Sequence, residues 1–107
     1  MDKNEIEAAF NICVAICGQD GIVSSQEEDA IIQNFKSIYN LSDSTLSTLF
    51  ENFFESKIHI DEYLGQITDA AKQQQILRIS ELSAAIDDLD IRENIALQRA
   101  KLVWGIV

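Results

Sequence analysis

Apolar positions recur along this chain at a period near that of an α-helix, in segments separated by short polar clusters. The clearest segment carries Ile6, Ala9, Phe10, Cys13, Val14 and Cys17 on one helical face, with Ile12, Ala15 and Ile16 adding an apolar flank. A helix apolar on more than one side belongs at the centre of a bundle. It runs into Gly18, Gln19, Asp20 and Gly21, where glycine tolerates the backbone reversal that follows a helix C-terminus. Ser24 or Ser25 then starts a second helix. With Ser24 as cap, Glu27 stands at the third helical position, the spacing of a capping box. The stripe of this helix is Ile31, Ile32, Phe35, Ile38 and Tyr39, and Asn40 suits its C-terminal end.

Ser42 or Asp43 caps a third helix, whose face of Leu46, Leu49, Phe50, Phe53 and Phe54 is expected to fill core. After a break over residues 57–60, Asp61 opens a short helix to about residue 67, and a longer one follows over about 69–86. The longer helix presents Ile76, Ile79, Leu82, Ser83 and Ile86. The last helix, over about 91–104, offers Ile95, Leu102 and Ile106, with Leu97, Ala100 and Trp104 on its flank.

The first helix, turn and helix have an echo near the other end of the chain. Laying residues 19–31 over residues 87–97 puts Ser24 over Asp90 and Glu27 over Glu93; with one residue fewer in the second turn, Asp20 falls over Asp87. Each half reads as helix, acidic turn, helix. The expected fold is therefore all-α, one domain over residues 1–107. It is a compact bundle of about six helices built from two pseudo-repeated helix–acidic turn–helix units, in which the first and fifth helices bury most of their surface.

Composition sharpens this picture. A chain of 107 residues that is 47% hydrophobic has enough apolar material for one modest core, and the absence of proline and the presence of only four glycines suit helices. The formal charge of −10, from 18 acidic and 8 basic residues, sets a negative field that disfavours phosphate backbones and anionic membranes, so direct nucleic-acid binding is not expected. The acidic start does not read as a secretory leader, and the sparsely charged run over residues 8–18 is shorter than the about 20 residues that a membrane span requires. A cytoplasmic protein without a transmembrane segment is the expectation. Cys13 and Cys17 share a helical face and read as reduced core thiols, and His59, the sole histidine, brings the nitrogen and sulfur ligands to three at most, short of a structural zinc set. No phosphate-binding glycine loop or nucleophile motif occurs, which points to a non-enzymatic chain that requires no cofactor.

An apolar helix followed by Asp20, Gly21, Val23, Ser24 and Glu27, preceded by the small residues Ala15 and Gly18 and repeated in decayed form with Asp87 and Glu93, resembles the TerB-like domain family. The second copy lacks the glycine and has the shorter turn. The resemblance spans nearly the whole chain. It implies a small all-helical domain of the kind found in tellurite-resistance proteins and fused to membrane-associated J-domain co-chaperones, associated with stress response and defence against phage. Such domains act as interaction modules for protein partners, and their paired acidic residues imply a metal role. Here the matching residues are Asp20, Glu27, Asp87 and Glu93.

Carboxylates from two neighbouring turns would suit a hard divalent cation, Ca2+ or Mg2+, although the turn at Asp20 lacks the alternating oxygen ligands of an EF-hand loop. The competing account of the same residues is structural, with Glu27 and Glu93 capping helices and the aspartates stabilising turns. Asp20 and Asp87 are the pair this account explains least. The alternative function is a small acidic inhibitor, or an immunity or anti-defence protein, that binds a basic site on its partner. Trp104, Ile106 and Val107 supply either an apolar end for a partner or a homodimer contact, or a tail that folds back on the core.

Overall fold

The structure, a computed structural model, describes residues 3–18, 24–55, 60–85 and 91–106. Among these it forms six helices and no strand: α1 (Lys3–Cys17), α2 (Ser25–Tyr39), α3 (Asp43–Glu55), α4 (Ile60–Leu64), α5 (Ala70–Ala85) and α6 (Ile91–Trp104). Asp20, Gly21, His59, Asp87 and Asp90 lie outside the described residues.

Helix ends follow local polar chemistry. The Ser24 hydroxyl accepts from the Glu27 amide and the Glu27 carboxylate accepts from the Ser24 amide, each at 3.1 Å, so the expected capping box is formed. Asn40 ends α2 in the left-handed region at φ 55°, a conformation its short polar side chain tolerates, and its amide donates to the Lys36 carbonyl. Ser42 rather than Asp43 caps α3, accepting from the Thr45 amide at 3.2 Å. Asp69 does the same for α5, accepting from the Lys72 amide at 3.0 Å.

α1 is the axis of the bundle. Its residues 8–14, 16 and 17 are buried, and it packs against every other helix, most extensively against α5. Phe10 meets Phe35 and Phe50 edge to face, with ring centroids 5.4 and 4.7 Å away, which joins α1 to α2 and α3. The buried face of α5 includes Ile76, Leu77 and Ile79 together with the small residues Ser80, Ser83 and Ala84. Those small side chains let the helices approach closely, and their hydroxyls are satisfied: Ser80 donates to the Ile76 carbonyl and Ser83 accepts from Asn34. Gln73, also buried, donates to the Ile67 carbonyl at 2.8 Å. The radius of gyration, 12.5 Å, is that of a compact bundle of this length, for which about 13 Å is expected.

Several faces differ from the periodic expectation. α4 stops at Leu64, before Ile67, which is nonetheless buried in the following turn. Asp61 lies inside the first turn of α4 and binds Arg99 of α6 through two hydrogen bonds, of 3.1 and 2.7 Å. In α6 the assignment is reversed: Ala96, Leu97 and Ala100 are buried, whereas Ile95 and Leu102 are 62% and 81% exposed. Small residues decide this, because alanines on the inner face allow α6 to lie close to α5, α4 and α1. Ile38, Leu82 and Phe54 are likewise exposed rather than core. The chain end folds back: Trp104 donates its indole N–H to the Leu64 carbonyl at 2.9 Å, and Ile106 packs on the core. Among the described residues no helix is long and apolar enough to cross a membrane.

Candidate metal centre

The echo between the two halves acquires a spatial meaning at the end of α1. Cys17 is the last residue of that helix, Glu27 lies in the first turn of α2, and Glu93 lies in the first turn of α6. One ligand atom from each of these three residues falls within 4.8 Å of the other two. All three are buried, Cys17 completely and each glutamate to 3% exposure. The residues that the internal superposition pairs, Glu27 and Glu93, are therefore neighbours in space.

Each carboxylate has a local reason to sit there. Acidic side chains are favoured in a first helical turn, near the positive end of the helix dipole. For Glu27 the capping account is right but incomplete. Its Oε1 accepts from the Ser24 amide, while its Oε2 is buried and has no hydrogen-bond partner. One carboxylate thus serves two ends: one oxygen fixes its orientation, and the other is available to a ligand.

Cys17 was legible only as core. Cys13 and Cys17 are both buried free thiols, as their helical spacing suggested. A hydrogen bond shared with Cys13, burial, and the carboxylates of Glu27 and Glu93 together hold the Cys17 thiol well above the ordinary thiol range. A cation bound through its sulfur must therefore displace the thiol proton. Its position at the end of the apolar helix, three residues before Asp20 in sequence, was the signal that could have marked it. Cys13, one turn earlier, instead faces Ser80 and Ser83 of α5.

The cluster has the donors to coordinate a divalent cation weakly: one sulfur and two carboxylates from three helices. Metal bonds of about 2.0–2.3 Å around a tetrahedral centre put donors roughly 3.5 Å apart, so only small side-chain rotations are required. Two negative charges placed this close and out of water would repel each other, which a bound cation offsets. Of the four expected metal residues, Glu27 and Glu93 are brought together; Asp20 and Asp87 lie outside the described residues.

A second feature lies on the adjoining surface. An open groove of about 500 Å³ runs between α2 and α3, with Ile32, Leu46, Phe50 and Phe54 along it and the acidic side chains Glu28, Asp43, Glu51 and Glu55 among its lining. Phe54, 64% exposed, is the aromatic this groove leaves to solvent. Compared with models of known protein families, with characterised proteins and with solved structures, the chain matches none.

Proposed function

We propose that this chain is a non-enzymatic, TerB-like helical module of a bacterial stress-response or defence system, cytoplasmic, which docks to a protein partner and carries a weak divalent-cation site between its two acidic turns. The observation that supports this most is the convergence of Glu27 and Glu93, equivalent positions of the two units, beside Cys17. A cation held there would tie the start of α2 and the start of α6 to the end of α1, so that metal occupancy and the packing of the two units become linked. Asp20 and Asp87, which precede the two glutamates in sequence, are the further ligands of this proposal. The TerB-like part rests on the motif Asp20, Gly21, Val23, Ser24 and Glu27 and on its echo.

Isothermal titration of the chain with Ca2+, Mg2+ and Zn2+ tests the cation site. Saturable heat in the wild type that disappears in Glu27→Gln and Glu93→Gln is the expected outcome, and the absence of binding at millimolar metal would remove the cation from the proposal.

The groove between α2 and α3 favours a second reading, the small acidic inhibitor. Its acidic lining over an apolar floor suits a basic, partly apolar segment of a target protein. Reversing charge with Glu51→Lys and Glu55→Lys should then abolish recovery of the native complex. Under the module reading with its cation site, Glu27→Gln should be the damaging change instead.

A further inference from the structure

We infer that the Cys17–Glu27–Glu93 cluster binds a borderline-soft transition ion of the zinc class, with Cys17 Sγ as a ligand, and not the Ca2+ or Mg2+ that the carboxylates alone suggest. This rests on the reading of the cluster as a cation site and specifies the ion that it takes.

Three features of the site carry the choice. The first is donor identity. Hard cations take oxygen ligands, whereas a cysteine sulfur and two carboxylates within 4.8 Å of one another form a mixed set of the kind zinc accepts. The second is donor number set against burial. Ca2+ requires about six to eight oxygens and Mg2+ keeps several waters, but the cluster supplies two carboxylates in a position where all three residues are at most 3% exposed. A four-coordinate ion needs only these three side chains and one more ligand, the arrangement of an open zinc site.

The third feature is an orphaned oxygen. Glu27 is 3% exposed, and its Oε2 has no hydrogen-bond partner although it is fully buried, an arrangement that calls for an explanation in a folded chain. Its Oε1 is meanwhile held by the Ser24 amide at 3.1 Å. The capping box therefore plays the part that an outer-shell hydrogen bond plays at a metal, orienting the ligand while leaving its second oxygen to the ion. Cys17 adds to this from the last turn of α1, where the helix dipole favours positive charge.

Cobalt substitution on the full-length chain tests the inference. Adding Co2+ to metal-free protein should produce a sulfur-to-cobalt charge-transfer absorption in the near ultraviolet and the intense visible bands of a low-coordinate site. Zn2+ in excess over Co2+ should abolish both, while millimolar Ca2+ and Mg2+ should leave them unchanged. The charge-transfer band should be absent in Cys17→Ser and retained in Cys13→Ser. Glu27→Gln should keep its helical circular dichroism and bind Co2+ at least about tenfold more weakly; this variant keeps the test decisive if Cys17→Ser does not fold.

Retention of the band in folded Cys17→Ser, or unchanged affinity in Glu27→Gln, overturns the ligand assignment. Binding of Ca2+ or Mg2+ at this site in preference to Zn2+, with no sulfur band, overturns the inference and leaves the cation site standing. No binding of any of the four ions overturns both.

Discussion

Substitution of Glu27 by glutamine separates a helix cap from a cation ligand. The amide oxygen of glutamine can replace Oε1 as acceptor for the Ser24 amide, now 3.1 Å away, so the cap survives. What changes is one negative charge next to Glu93. With ligand atoms no more than 4.8 Å apart, two unit charges repel by about 3 kcal/mol at an effective dielectric constant of ~20. Removing one charge should stabilise the metal-free protein by about 1–3 kcal/mol, since the new amide group must itself be accommodated in the buried site. For a domain of about 100 residues each kcal/mol raises Tm by roughly 4–8 °C.

Saturating zinc should reverse the order. The wild type gains about 4.1 kcal/mol when free metal stands at ~1,000 times Kd, more than the variant's advantage without metal, and a variant that no longer binds gains nothing. Thermal unfolding of both proteins, followed by far-ultraviolet circular dichroism with chelator and with zinc, reads both arms. The opposite result is equally plain. If Glu27→Gln is no more stable than wild type in chelator, and zinc moves neither protein, then Glu27 is a capping residue and nothing more.

Four further tests probe the rest of the bundle. In α6, Leu102→Lys and Ile95→Lys should change urea-unfolding stability by no more than about 0.5 kcal/mol, whereas Ala100→Leu, at a fully buried position, should cost about 1–3 kcal/mol; the reverse ranking would mean that α6 is rotated. Phe10→Ala removes the ring that joins α1 to α2 and α3 and should cost about 3–5 kcal/mol, a large part of the ~5–15 kcal/mol available to a small domain, seen as a collapse of the urea midpoint. Burial pushes the Tyr39 phenol up to about 12. The unfolded chain therefore loses this proton first as pH rises, and stability should fall between about pH 10 and 12, by at most about 2 kcal/mol, relative to a Tyr39→Phe control measured by urea unfolding. Trp104→Phe removes the donor to the Leu64 carbonyl and should cost about 1 kcal/mol in the same assay.

The helices were legible because their signals are local. Ser24 with Glu27, Ser42, Asp69 and Asn40 act on amides or turns within a few residues of themselves, so a linear pattern contains both partners. The central place of α1 was legible for a similar reason: apolar residues around most of its circumference leave it nowhere to sit but inside. The face of α6 was not. Its sequence offers two apolar stripes, and the choice between Ile95 with Leu102 and Ala96 with Ala100 depends on how closely α5, α4 and α1 approach, a distance that no single helix encodes. Phe54 was misplaced in the same way, because an aromatic at helical spacing reads as core, whereas here it borders the open groove between α2 and α3.

By itself, then, the chain's order of residues determined an all-helical bundle and the start and end of most of its helices, and it placed Glu27 and Glu93 at matching positions of an internal superposition. Tertiary structure alone decided that these two glutamates meet, that they meet beside Cys17, and that Glu27 keeps one buried oxygen without a hydrogen bond. Capping and periodicity act over one or two helical turns and can be read along the chain. A ligand set is a matter of distances between side chains 10 and 66 positions apart in sequence, Cys17 to Glu27 and Glu27 to Glu93, and those distances exist only once α1, α2 and α6 have packed.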